Sequence, residues 1–424
     1  MKILWLVNIV MPELAVHLGE KPSVFGGWLT GALEAVRAAG HELTVCTVRE
    51  TEREVRFQSD PRTTYLLCQD DEPDQLYRQF RTILEQEQPD LVHIWGTEFA
   101  PSWALARAAD PDRTLVSVQG LVHTFENHTY AGIPDSICRT TWLHRLYSLL
   151  GKHIPSIERQ RLSFRTRAET ERKVLARVHH VNGGTFWGDS CARLIQPEVQ
   201  LHQCGLILRD SFYGETLWTP EQCDPHSIFA LYTYPIKGFH KLLEALIPVV
   251  ARYPDTKVYV AGNKCAYRQL SGLKRKLMDL APDYDWYIQK LIERWGLKDN
   301  LEFLGYLNEA QMKQQLLRSR VFVSPSAIEN HSTMLGEAMI TGVPSIASCV
   351  GGLQEMIDHG VDGFLYPFNE PYILSHYILR LFEDRELALQ FSREGRAHAR
   401  RTYDREKNCR DLLHIYETIG GGDK

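Results

Sequence analysis

Along this chain, apolar runs of four to eight residues alternate with amphipathic stretches of ten or more. That alternation predicts βαβ units and a parallel sheet. In the first half the pattern predicts strands at 2–8, 42–48, 90–95, 114–119 and 178–182. Helices fall between them, such as Trp28–Ala39, which Gly40 ends as a C-cap glycine, and Gln75–Gln88. The second half repeats the scheme with strands at 227–232, 256–262, 301–305, 321–326, 344–348 and 363–367, and a helix over Phe239–Arg252. The prediction is therefore α/β, with two doubly wound domains of similar size. Gly205, Gly214, Pro220 and Pro225 punctuate the joint, which gives a first domain over 1–210 and a second over 211–385. The polar helical stretch 386–424 has no strand of its own and is expected to cross back to the first domain.

Composition narrows this little. With 48 Lys+Arg against 53 Asp+Glu and a net charge of −5, the balance is that of an ordinary globular protein. Disorder, collagen and coiled coil are excluded, and nothing suggests a dedicated nucleic-acid binder. Nine cysteines, scattered and without a C-x-x-C pair, read as reduced thiols in a cytoplasmic protein. The opening MKILWLVNIVMPEL reads as a buried first strand rather than a signal peptide, because Asn8 breaks a short apolar run and no small-x-small site follows. No run of 18 apolar residues occurs. Residues 136–180 carry ten Lys/Arg against three Glu, a net +7, with Trp142, Leu143, Leu146, Tyr147, Leu149 and Leu150 interleaved. Such a stretch suits peripheral docking on an anionic membrane or an anionic acceptor, and a basic solvated helix face reads the same way.

The most informative run is 324–367, which reads strand, loop, helix, strand, Gly-Gly turn, helix, strand. Ligands of open parallel sheets sit at the carboxyl ends of strands. Glu329 lies in such a loop, and Ser332 or Thr333 is a suitable N-cap for the helix through Ile340, with Glu337 one turn in. The amides of 332–335, from Ser332, Thr333, Met334 and Leu335, would then face an anion. A glycosidase pair is the alternative for Glu329 and Glu337. Eight helical residues would separate them by about 12 Å, against the roughly 5–9.5 Å such pairs need.

These residues resemble the signature of glycosyltransferase family 4. Its two glutamates are Glu329 and Glu337; its E-A-M-x-x-G-x-P runs from Glu337 through Gly342 and Pro344; its G-G-x-x-E is Gly351, Gly352 and Glu355; its G-x-L begins at Gly363. The resemblance implies the GT-B fold, two Rossmann-like domains facing each other across a cleft. It also implies retaining transfer of a sugar from a nucleotide donor, with UDP the family's usual base, and no cofactor or metal. Glu329 would hold sugar hydroxyls and Glu337 the ribose, while the amides near Ser332 hold phosphate or sugar. Asn330-His331-Ser332 replaces the family's Gly-Phe-Gly. Lys237, in Tyr234-Pro-Ile-Lys-Gly238, matches the lysine that neutralises the leaving diphosphate. Tyr232 stands where the family often has arginine. Gly26 and Gly27 match the loop by which backbone approaches the diphosphate, and the G-x-G-x-x-G spacing of NAD sites is absent there. Gly305 matches the point where backbone meets the nucleobase. Gln119 occupies the position of a histidine near the transferred sugar, and His123 and His93 are candidates on the acceptor side. Two D-x-D triplets, Asp110/Asp112 and Asp283/Asp285, make poor metal sites: the first precedes a strand, and the second falls in a polar stretch between helices. The implied partners are a nucleotide-sugar donor and a glycan, lipid-linked or small-molecule acceptor. A GT-B phosphorylase or epimerase, or a non-catalytic sugar-nucleotide-binding subunit, are the competing readings.

Overall fold

The computed structural model describes residues 1–23, 26–151, 155–265 and 272–421, and they form two compact units. The first unit comprises Met1–His123, Thr166–Asp210 and Thr402–Lys424; the second comprises Thr124–Arg165 and Ser211–Arg401. Both units are thus discontinuous in sequence. Lys152, one of the ten cations counted above, lies outside the described residues.

The first unit is built on eight strands: β1 (Lys2–Val7), β2 (Glu42–Arg49), β3 (Val55–Asp60), β4 (Thr63–Gln69), β5 (Leu91–Trp95), β6 (Thr114–Ser117), β7 (His180–Asn182) and β8 (Gln200–Leu201). Their order is β3-β4-β2-β1-β5-β6-β7-β8. All pairs are parallel except β3 with β4. The parallel strands are nearly continuous apolar runs because helices cover both faces. The β3–β4 hairpin was not expected. Its edge strand alternates half-buried and exposed positions, so it lacks the continuous apolar run of a central strand. The helix Arg405–Gly420 lays Leu412, Ile415, Tyr416 and Ile419 into the same core as Trp5, Leu91 and Val45. There the Trp5 indole N–H donates to the Tyr416 hydroxyl at 3.0 Å.

The second unit holds six strands: β9 (Asp224–Tyr232), β10 (Lys257–Gly262), β11 (Leu301–Gly305), β12 (Ser319–Ser324), β13 (Ser345–Ser348) and β14 (Phe364–Tyr366). Their order is β11-β10-β9-β12-β13-β14, with every pair parallel. The chain leaves β9 toward β10 and leaves β12 toward β13, in opposite directions. The crevice beyond the carboxyl ends of β9 and β12 is therefore a topological switch point. Among the described residues, no helix is long and apolar enough to cross a membrane.

Candidate active site

At the switch point the backbone of two loops is clamped together. Gly238 follows the 3-10 turn Pro235–Lys237 with φ +69°, and a Cβ there would lie 1.7 Å from the Pro325 carbonyl oxygen. Only glycine meets both conditions. The Ala327 amide donates to the Ile236 carbonyl at 2.7 Å, which locks the loop after β12 onto the loop after β9. On the other side Gly351 has φ +48°, its missing Cβ leaves room for the Glu329 carbonyl, and the Gly352 amide donates to that carbonyl at 3.1 Å. The sequence's Lys-Gly and Gly-Gly pairs are thus explained by close backbone passage.

These clamps bring Lys237 and Glu329 together: the ammonium donates to a Glu329 carboxylate oxygen, which also accepts from the Ser326 hydroxyl at 3.3 Å. Burial pulls the Lys237 ammonium down, the Glu329 charge and hydrogen bond together with Tyr234 outweigh it, and the net result lies above an ordinary lysine. Next to the pair begins the helix Thr333–Ile340, capped by the Ser332 hydroxyl, which accepts from the Leu335 amide at 3.3 Å. The expectation of four free amides is corrected here. Leu335 is taken by the cap and the Ser332 amide approaches the Met356 sulfur at 3.5 Å, so the first-turn donors left over are Thr333 and Met334. Glu337 is buried within this helix. His331 is half-buried, and burial pushes its imidazole down to about 4, so it stands neutral.

Tyr232, offered above for donor binding, is fully buried and gives its hydroxyl to Asp285. It stands in an aromatic cluster with Phe239, Tyr284 and Phe303 and does not line the crevice. Of the second D-x-D pair only Asp283 lies between helices, as the N-cap of Tyr284–Trp295, accepting from the Trp286 amide at 2.8 Å, whereas Asp285 is in that helix's first turn. Burial pushes the Asp283 carboxyl up to about 6. Both border a cavity of about 490 Å³ with Thr233, Tyr234, Asn263 and Arg159. Gly305 ends β11 with φ +78°, against the Lys264 side chain. Asp358, Asp362 and His398 bring possible ligand atoms within 4.8 Å of one another, with His398 Nδ1 already held by Asp362 at 2.6 Å.

In the first unit the carboxyl ends of β1, β5 and β6 gather a second set of polar groups. Gly96, with φ +101°, is ringed by Asn8, Gln119 and Glu98, whose nearest atoms lie 3.4–3.7 Å from where its Cβ would be. Gln119 is engaged at both ends of its amide: Oε1 accepts from Asn8 at 3.1 Å and Nε2 donates to the Trp95 carbonyl at 3.3 Å. His93 does not reach any surface. It is fully buried in β5, with Nδ1 on the Tyr416 hydroxyl at 2.6 Å and Nε2 on Ser117 at 2.9 Å, and burial holds its imidazole well below the usual range. His123 bonds the buried Glu171. Gly26 has φ +77° and caps the helix Gly27–Ala38, with Ile9 packed against it and Arg209 against Gly27. A cavity of about 210 Å³ lies beside Asn8, Asp70, Trp95, Phe99 and Ser102.

Sequence reasoning missed Asn8, Glu98, Arg167 and Glu171. Glu98 comes just after Gly96-Thr97 at the carboxyl end of β5, which is the signal that could have found it. Arg167 and Glu171 sit on the helix Ile157–Arg177 and were counted only as charge. Arg167 donates to Glu98 at 2.9 Å; burial raises the Glu98 carboxyl, and Arg167 counters that.

Comparison with known proteins agrees with this architecture. Residues 227–398 match the family described as glycosyl transferases group 1. A D-inositol 3-phosphate glycosyltransferase of Corynebacterium urealyticum is 27% identical over 184 residues, 43% of this chain and 41% of that relative. The chain thus spans less than half of that relative's length. The spore coat protein SA of Bacillus subtilis is 23% identical over 417 residues, 96% of this chain and 99% of that protein. Among solved structures, a sucrose-phosphate synthase from Thermosynechococcus elongatus covers all of both chains at a TM-score of 0.69 and 17% identity. Anabaena Alr3699/HepE, solved in complex with UDP-glucose, covers 99% of this chain and 100% of that one at 0.66 and 16%. The fold is accordingly α/β, with two parallel-sheet Rossmann-like domains and GT-B neighbours.

Proposed function

We propose that this protein is a glycosyltransferase that moves a sugar from a UDP-sugar to a glycan, lipid-linked or small-molecule acceptor, with retention at the anomeric carbon and without a metal. One observation carries the reading: an ammonium and a carboxylate fixed by backbone clamps beside a helix start, at the switch point of a parallel sheet. Charge builds on the diphosphate as it leaves, and preorganised donors aimed there lower the barrier. Lys237 and the Thr333 and Met334 amides supply those donors. Glu329 holds sugar hydroxyls and keeps Lys237 in place, and Glu337 serves the ribose. With the lysine and the helix start to carry the charge, no divalent ion is needed for the leaving group. The aromatic and polar walls beside Asn8, Asp70, Trp95 and Phe99 suit a sugar-like acceptor.

Thermal unfolding with UDP, UDP-glucose, UDP-N-acetylglucosamine and GDP-mannose tests donor binding. A ligand at a hundredfold its Kd adds roughly 2.7 kcal/mol of apparent stability. Stabilisation by a UDP-sugar, lost in Lys237→Ala and Glu329→Ala with the fold retained, supports the site; no stabilisation by any of them rejects it. The buried Tyr232 in the usual arginine position favours a second reading, a donor-binding subunit without turnover. Binding without transfer or donor hydrolysis would select it.

The segment 139–165 adds a membrane-surface partner to the proposal. Trp142, Leu146, Leu149 and Leu150 recur at helical spacing and are exposed, Leu149 by 84%, alongside exposed Arg139, Arg145, Arg161 and Arg165. An apolar stripe with flanking cations suits an anionic bilayer surface. Sedimentation with phosphatidylglycerol vesicles, but not phosphatidylcholine ones, reduced by Leu149→Glu, is the expected result; equal sedimentation with both removes this part.

A further inference from the structure

The loop that carries Glu329 is held so that its carboxylate cannot withdraw. The Glu329 carbonyl accepts from the Gly352 amide at 3.1 Å, and a Cβ on Gly351 would lie 2.1 Å from that carbonyl oxygen. Ser326, whose hydroxyl reaches the carboxylate, has its own carbonyl tied by the Ser348 hydroxyl, and the next residue, Ala327, is bonded to Ile236. The negative charge therefore stays in place whatever the site holds. Among the described residues both hydrogen bonds to the carboxylate, from Lys237 and Ser326, fall on Oε2, and Oε1 has no partner. An ammonium has three donors, and Lys237 gives one of them to Glu329 while its side chain stays 24% exposed. Side by side, the pair thus presents spare donors and a spare acceptor oxygen. A nucleotide-sugar answers both, since its diphosphate meets the ammonium and a sugar hydroxyl donates to Oε1. The nucleoside diphosphate left after transfer answers only one. It has no hydroxyl at that end, and its outer phosphate, with a second ionisation at about pH 6, carries one more negative charge.

We propose that the fixed Glu329 charge makes this site prefer the sugar-loaded donor to the spent nucleotide, so that UDP is driven off once its sugar has gone. The assignment rests on the donor site proposed above and lies wholly within the second unit. While a donor is bound, a sugar hydroxyl occupies the carboxylate and the ammonium serves the diphosphate. Without the sugar, Glu329 competes with the nucleotide for the ammonium and repels the outer phosphate. Like charges a few ångström apart at a protein surface change an affinity by about tenfold or more. Glu337 plays no part in this choice, because the ribose is common to both ligands.

Titration calorimetry of the full chain at about pH 8, where the outer phosphate is fully ionised, tests this without knowledge of the acceptor. The ligands are UMP, UDP and either UDP-glucose or UDP-N-acetylglucosamine, whichever stabilises the wild type. Glu329→Gln keeps the side chain's shape and an acceptor for Lys237 and Ser326. In it UDP should bind about tenfold more tightly than to wild type, and the UDP-sugar no more tightly. UMP, which puts no phosphate at the outer position, should change by less than about threefold. Glu329→Asp keeps the charge and should leave UDP within about threefold of wild type. Glu329→Ala removes the charge through a different side chain and should repeat the opposite signs for UDP and UDP-sugar, which guards against a folding defect particular to the glutamine variant. UDP affinity unchanged or weakened in both uncharged variants overturns the inference. So does an equal gain for UDP and the UDP-sugar, and in either case the donor site itself stands. A wild-type protein that binds none of these ligands fails at the proposed function instead, and this assignment falls with it.

Discussion

The two polar clusters sit at equivalent places, the carboxyl ends of parallel sheets, yet they are made differently. In the second unit the site is a charged pair held by main chain: Gly238 against Pro325, Gly351 against Glu329, and the Ile236–Ala327 hydrogen bond. In the first unit it is a web of side chains, Asn8 to Gln119, Arg167 to Glu98, Thr97 and His123 to Glu171, with the helix Ile157–Arg177 supplying two of the members. The difference matches what each is proposed to handle. A diphosphate is a large anion that needs fixed positive ends, whereas a neutral sugar-like acceptor is met by hydrogen-bonding side chains.

The largest expected effect separates the two by charge. Lys237→Ala should slow transfer by about 10²–10³-fold, as does removal of one preorganised donor at a developing anion. Gln119→Ala, which loses neutral hydrogen bonds only, should cost about 1 kcal/mol of barrier, under roughly tenfold. Steady-state rates with a UDP-sugar compare them, and equal losses would erase the contrast. Next comes the backbone clamp: Gly238→Ala is expected to destabilise the second unit by about 3 kcal/mol in denaturant unfolding, from positive φ and the approach to Pro325 together. The matching test in the first unit is Tyr416→Phe, which leaves the Trp5 indole and His93 without their partner and should cost about 2 kcal/mol, with UDP binding unchanged. The smallest effect is a pH dependence. The hydrogen bond that the His398 ring donates to Asp362 raises His398 above its ordinary value, and burial opposes it only in part. Its stabilisation is therefore full below the unfolded value of about 6.5 and fades as pH rises through the folded one. Melting temperature followed from pH 5.5 to 8.5 should decline less in His398→Gln than in wild type.

How much of this could be read from sequence follows the same division. Most central strands were legible because both faces are covered and their runs are apolar throughout; β11 and the helix Phe239–Arg252 have the bounds expected. β3, β4 and β8 were not: β3 is a half-exposed edge strand, β4 opens on Thr63-Thr64 with only Tyr65–Cys68 apolar, and β8 is two residues long. Lys237 and Glu329 were legible because each lies in a local motif of strand end, turn and glycine. Tyr232 faces away because its strand position points into the aromatic cluster, which no local pattern reports. The His123–Glu171 contact spans 48 residues and depends on how the helix Ile157–Arg177 packs on the sheet, so nothing nearby in sequence announces it. His93 looked available at a strand end, and only tertiary packing under Tyr416 hides it.

That same packing has a consequence for synthesis. β1 leaves the ribosome well ahead of the helix Arg405–Gly420, yet its Trp5 is covered by that helix through Tyr416, 411 residues further along the chain. The nascent first unit must therefore wait with part of its core open until that helix has been made, while the second unit's described strands have emerged by Tyr366. A stop codon placed before Arg405 would strip β1 of its cover, and the loss should appear as aggregation in the cell before it appears as lost chemistry.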